Sequence, residues 1–217
     1  MPGFLYHLAL SEQVLRERPD IQDVGATDFL LGCLIPDLAV NRDDSHYRGK
    51  LHVGGWKVPG LSLAKRDLLD KPDTLLLGCY CHLWFDHYFV MYHLAKQFIC
   101  TSDAGNEHVI DARNSKLWNL SDFLSPKGLY GAYDCGNRLL IDDHLMPEDF
   151  WNLPKNAPKT GLNNFDKRIT DNWMDIAEHY LKVKNHEDNG IYSPEELETI
   201  LMMAKDYFLK EIRYIKF

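Results

Sequence analysis

The stretch from Pro72 to Ile99 is apolar around much of a helix circumference yet carries His82 and Asp86 in its middle, and this restricts the available folds more than any other feature. Leu75, Leu76, Cys79, His82, Leu83, Asp86, Val90, His93 and Leu94 return to one side at helical spacing. The segment therefore reads as one long central helix, about 72–99, with the rest of the chain packed around it. Positions four apart stack on one helix face, so the His82 imidazole and the Asp86 carboxylate point into the same space. A carboxylate buried there is costly unless it is paired, hydrogen-bonded or bound to a cation.

The flanking segments also read as helices. Phe4 to about Arg18 has an apolar stripe and ends at Pro19. Thr27 or Asp28 caps a short second helix through Leu34, stopped ahead of Pro36, which leaves Asp37 on a loop. From Leu38 to Gly60 the chain is polar and without period, a long irregular segment that contains His46 and His52. Thr101 to Gly105 is a turn, and Glu107 to Trp118 and Ser125 to His144 read as further helices. Pro147, Pro154 and Pro158 then make a loop. Two helices close the chain, about Leu162 to Lys184 and Ser193 to Tyr214, the second opened by the capping box Ser193-Pro194-Glu195-Glu196. Strand-like alternation is absent, and Asn189-Gly190 reads as a link between helices. The expected architecture is all-α, a single-domain helical bundle over residues 1–217.

Composition removes some functions. Asp and Glu number 32 against 24 Lys and Arg, and the basic residues are scattered, so no stable nucleic-acid complex is expected. A small phosphorylated substrate can still be held by a metal and one or two basic side chains. The N-terminus lacks the pattern of a secretory signal, and no apolar run reaches the roughly 18 residues of a transmembrane segment. Cys33, Cys79, Cys81, Cys100 and Cys135 are odd in number and have no paired CxxC spacing, which suits buried reduced thiols in a cytoplasmic protein.

His7, Asp37, His46, His82 and Asp86 supply three imidazoles and two carboxylates from four segments. Singly they read as a core histidine, a turn carboxylate, a loop residue and a structural His–Asp pair. Together they match a borderline-soft divalent ion, zinc first, then manganese, iron or nickel. His93 lies about 16 Å along the helix axis from His82, too far to share its ion. His87 points away from Asp86, and His52, His108, His179 and His186 sit in polar surroundings and are expected to be exposed.

The order Met1-Pro2…His7, Phe29-Leu30-Leu31-Gly32-Cys33-Leu34-Ile35-Pro36-Asp37, Ser45-His46-Tyr47-Arg48 and Leu77-Gly78-Cys79-Tyr80-Cys81-His82-Leu83-Trp84-Phe85-Asp86-His87 resembles the zinc-dependent phospholipase C family. That family is all-helical and distantly related to the single-strand-specific zinc nucleases. The resemblance covers roughly the first hundred residues. It implies that His7, Asp37, His46, His82 and Asp86 are metal ligands, with Asp86 placed to bridge two ions. The family's secreted enzymes add an N-terminal tryptophan and a third ion. Only His93, or His144 with Glu148, could match that third ion here, and neither is carried over because Pro147 interrupts the second spacing.

These readings lead to a metal-dependent hydrolase of a phosphodiester or phosphomonoester that uses metal-activated water and one or two ions. Asp37 is a ligand or the base that orients the water, and Arg48 is a candidate phosphate clamp. One alternative is an HD-type nucleotide phosphohydrolase, although the chain offers the dyad reversed, as Asp86-His87. The other is a non-catalytic helical protein whose ion or His–Asp network holds the core. The sequence carries no signal for substrate identity or oligomeric state.

Overall fold

The central helix begins where Asp73 caps it, its carboxylate accepting the Leu76 N–H at 2.9 Å. The computed structural model describes residues 3–71, 73–103, 106–147, 152–155, 158–166 and 189–216. In it, α1 spans Phe4–Glu17, α2 Pro19–Gly32, α3 Ile35–Leu38, α4 Arg42–Ser45 and α5 Leu61–Leu68. The central helix α6 is Thr74–Phe89 and widens into a π turn at Val90–Leu94. It tightens again in α7, Ala95–Gln97, and gives way to a strand at Phe98. The remaining helices are α8 (Leu120–Phe123), α9 (Leu129–Asp142), α10 (Asn163–Asp166) and α11 (Pro194–Glu211). Both bonds of the Ser193–Glu196 capping box are formed at the start of α11.

Helix α6 packs against α1, α2, α5 and α11. Its crossing with α2 is close because Gly32 and Gly78 meet there. A Cβ on Gly32 would run into the Leu75 carbonyl oxygen, and one on Gly78 into that of Phe29. The buried apolar side chains form one cluster from Phe4 to Ile212. No described helix is long and apolar enough to cross a membrane.

The all-α expectation is corrected by two small antiparallel sheets. Strands β1 (Arg48–Val53) and β2 (Trp56–Pro59) form a hairpin inside the segment read as irregular. Its turn, Gly54-Gly55, has φ of 54° and 80°, values that favour glycine and match the right-handed twist of paired strands. Strands β3 (Phe98–Asp103), β4 (Asn106–Asp111) and β5 (Leu117–Asn119) form the second sheet and replace the helix expected over 107–118. In β3 and β4 the fully buried apolar positions are Phe98 and Val109, so the period-2 signal is too thin to read. The hairpin docks on this sheet through Trp56 Nε1 to Phe98 O at 2.6 Å and Cys100 N to Gly54 O at 2.8 Å.

Other boundaries also move. Pro19 opens α2 as well as ending α1, because proline lacks only an N–H that the first turn leaves unused. The non-helical Gly25 breaks α2 into two pieces. Pro36 likewise sits in the first turn of α3, so Asp37 is helical and not on a loop. Of the expected helix 162–184, residues after 166 lie outside the described residues. None of the five cysteines is in a disulfide, with Cys33, Cys79 and Cys81 buried and Cys100 and Cys135 half-buried.

Candidate metal centre

Four elements of the N-terminal half deliver the five candidate ligands to one place. His7 comes from the buried face of α1, Asp37 from α3, and His82 and Asp86 from successive turns of α6. His46 ends α4, and Tyr47 after it takes a left-handed φ of 50°, which turns the chain into β1 and brings Arg48 to the same site. The side chains of His7, His46, His82 and Asp86 are each 1% exposed, and that of Asp37 is 16% exposed.

The nitrogen protons can be assigned from partners. His82 Nδ1 faces the Cys33 carbonyl at 2.7 Å, which can only accept, so Nδ1 carries the proton. The Ser45 hydroxyl donates to Pro36 O at 2.9 Å and sits 3.1 Å from His46 Nδ1, which we assign as a donor to it. Both Nε2 atoms then present lone pairs, and they stand 3.2 Å apart. Four ligand atoms around a tetrahedral zinc, at about 2.0–2.1 Å from it, lie about 3.3 Å from one another. The other spacings fall in the same range: His46 Nε2 to Asp37 Oδ1 at 3.5 Å and to Asp86 Oδ2 at 3.4 Å, and His7 Nε2 to Asp86 Oδ1 at 3.4 Å. His82 Nε2 to Asp37 Oδ1 is longer, at 3.9 Å.

Two overlapping groups of potential ligand atoms result: His7, Asp37 and His82, and His46, His82 and Asp86. The His7 and His82 rings stack at 3.6 Å between centroids, 10° from parallel. Among the described residues no well-aligned hydrogen bond reaches either nitrogen of His7 or Oδ1 of Asp86, although His7 Nε2 and Asp86 Oδ1 face each other at 3.4 Å. Buried polar atoms are rarely left so, and a cation among them would complete this set. The donor set fits a divalent ion.

Electrostatics favour the ligand forms. Burial, with His7 alongside, lowers the His82 pKa to about 3 against the pull of Asp37 and Asp86, so the ring is neutral at pH 7. For Asp37, burial acts to raise the pKa, but His82, His46 and Arg42 outweigh it and hold the carboxyl well below its ordinary range. Asp86 is also lowered despite its burial, chiefly by His7 and His82.

Two guanidinium groups lie beside these carboxylates. Arg48 Nη2 is 3.9 Å from Asp86 Oδ2, and Arg42 Nη2 is 3.5 Å from Asp37 Oδ1. Asp37, Arg42 and Arg48 line a cavity of about 550 Å³, within the ordinary size of a small-molecule site. Arg42 was missed from the sequence, where it stood in a polar run with no period. Tyr133 and Asn137 of α9 line the same cavity. Their one-turn spacing on an otherwise apolar face was the available signal.

The remaining histidines are elsewhere. His93, in the π turn, packs on Tyr88 and Phe89, and its Nε2 has no partner. His144 is exposed at the end of α9, where its carbonyl accepts from Arg16, and Glu148 lies outside the described residues. His87 Nδ1 is 2.9 Å from the Pro59 carbonyl. His52 is exposed, as expected, and His108 is half-buried, which corrects the expectation of exposure. His179 and His186 lie outside the described residues. No family model, no curated protein and no solved structure matches the chain.

Proposed function

We propose that the chain is a metal-dependent hydrolase of a phosphoric ester, with His7, Asp37, His46, His82 and Asp86 holding one or two divalent ions, zinc first. The observation that carries this reading is the opposed pair of bare Nε2 atoms on His46 and His82, within ligand spacing of two buried carboxylates. A hydrogen-bond network that merely held the core would be expected to join His7 and Asp86 by a well-aligned bond, whereas His7 Nε2 and Asp86 Oδ1 stand 3.4 Å apart without one and His7 Nδ1 has no partner among the described residues. The ordered motifs of the first hundred residues support kinship with the zinc-dependent phospholipase C family, and five cysteines without a disulfide suit a cytoplasmic protein.

Held by these residues, a zinc ion would supply a water with a pKa of about 7 and would polarise phosphoryl oxygens. Arg42 and Arg48 offer planar forks for the phosphoryl oxygens, and their charge offsets that of the incoming ester. Of the five ligand candidates, Asp37 lines the cavity, which suits it either to complete the ligand set or to accept the proton of the attacking water. Asp86-His87 does not support an HD-type dyad, since His87 is engaged with Pro59.

The test is metal content by mass spectrometry on protein purified without chelator, followed by hydrolysis of bis(4-nitrophenyl) phosphate and 4-nitrophenyl phosphate. We expect one or two equivalents of metal, with activity lost on chelation and in His82→Ala and regained by the wild type on adding zinc. A protein that takes up no zinc, or one that hydrolyses equally well after stripping, overturns the reading.

A further inference from the structure

Asp43, in the short helix α4, joins that helix to both strands of the hairpin. Its Oδ2 accepts from Lys57 Nζ on β2 at 2.6 Å, and its Oδ1 lies 3.7 Å from Arg48 Nη1 on β1. The other end of the same guanidinium faces the metal centre, with Arg48 Nη2 at 3.9 Å from Asp86 Oδ2. Arg48 therefore stands between two carboxylates, one exposed and one among the candidate ligands, and it lines the cavity. Its side chain is 11% exposed, whereas those of Asp43 and Lys57 are 48% and 50% exposed. Lys57 and Arg48 hold the Asp43 carboxyl below the usual carboxylate range, so it is charged at pH 7.

Exposed ion pairs add little to stability, so what Asp43 can supply is direction for Arg48 rather than fold. A guanidinium drawn to one carboxylate turns its fork onto it. Removing the Asp43 charge tips the balance toward Asp86. A closer Arg48–Asp86 bond would take the fork away from the cavity, and it would engage Oδ2, the oxygen that lies 3.4 Å from His46 Nε2. Resting on the phosphoester reading, we infer that Asp43 is a positioning residue for that reaction. It holds the Arg48 fork where it meets a phosphoryl oxygen and keeps it off the ligand Asp86. Lys57 steadies Asp43 from the second strand, and Asp43 acts through Arg48 rather than on the ester itself.

The test is a double-mutant cycle between Asp43 and Arg48 on the zinc-loaded protein. It is read by kcat/KM on whichever of the two nitrophenyl esters the wild type hydrolyses faster, and by calorimetric binding of inorganic phosphate. Asp43→Asn, which keeps the shape and removes the charge, should lower kcat/KM and weaken phosphate about 3- to 10-fold, a coupling usual for charged neighbours. In an Arg48→Ala background the same substitution should have no further effect, whereas a merely structural role would cost as much in either background. If Asp43→Asn matches the wild type, or its cost persists in full without Arg48, Asp43 does not act through Arg48 and the proposal is wrong. If the zinc-loaded wild type hydrolyses neither ester, the phosphoester reading itself fails and this proposal falls with it.

Discussion

His46 and His82 bring their Nε2 atoms to 3.2 Å while Ser45 and the Cys33 carbonyl occupy the other nitrogen of each ring. Two lone pairs so placed repel each other unless a cation lies between them. Zinc should therefore raise the unfolding free energy, by about 2.7 kcal/mol at free zinc a hundredfold above Kd. Thermal unfolding with and without zinc measures this. His46→Ala and His82→Ala should show no such rise, and its absence from the wild type would remove the metal centre.

Ser45 contributes no ligand atom, yet it fixes the tautomer of His46. Ser45→Ala is expected to weaken zinc binding about 10- to 100-fold with the fold retained. Competition against a chelating dye reads the affinity, and circular dichroism checks the fold. Unchanged affinity would mean that His46 does not depend on Ser45 for its orientation.

Arg48 stands within reach of both the Asp86 carboxylate and the cavity. Arg48→Ala should lower kcat/KM on a phosphoester by about 10- to 100-fold at unchanged zinc content, the range expected for a lost charged hydrogen bond. Arg48→Lys should not restore it, since an ammonium lacks the planar fork. Full activity in Arg48→Ala would assign the clamp elsewhere.

The metal-free protein should lose stability as the pH falls. His82 has its folded pKa lowered to about 3, chiefly by burial, whereas the unfolded chain takes up that proton near about pH 6.5. Between these values the unfolded state binds more protons, which removes up to about 1.4 kcal/mol per pH unit on acidification from this group. Asp37 and Asp86, both lowered, add a further loss as the pH drops below about 4. Urea unfolding of chelated protein at about pH 7.5, 6 and 5 tests the first part, and equal stability at all three would contradict it.

Gly78→Ala should damage both fold and site. The added methyl would meet the Phe29 carbonyl, and relieving the clash moves α2 away from α6. We expect a loss of about 1–3 kcal/mol by overpacking. Zinc affinity should weaken with it, because the Cys33 carbonyl that holds His82 follows directly after α2. A stable variant with wild-type zinc affinity would show that the crossing does not position the site.

Much of the site was legible before the fold because helical period alone places His82 and Asp86 on one face. The apolar neighbours of His7 likewise foretold its burial, now 1% exposure. The hairpin at Arg48–Pro59 was not legible, since its strands are short and largely exposed and so lack an alternating pattern, although Gly54-Gly55 was a turn signal in plain view. Arg42 was hidden for a different reason: it acquires meaning only from what faces it across a cavity.

The sequence by itself determined the central helix, the capped start of α11 and the choice of five candidate ligand side chains, because local periodicity and capping chemistry act over a few residues. Only the tertiary structure decided that these five converge, which nitrogen His46 and His82 each offer, and that two arginines and α9 wall one cavity beside them. Those facts depend on contacts between residues far apart in the chain, such as Cys33 with His82 and His46 with Asp86, which no local pattern encodes.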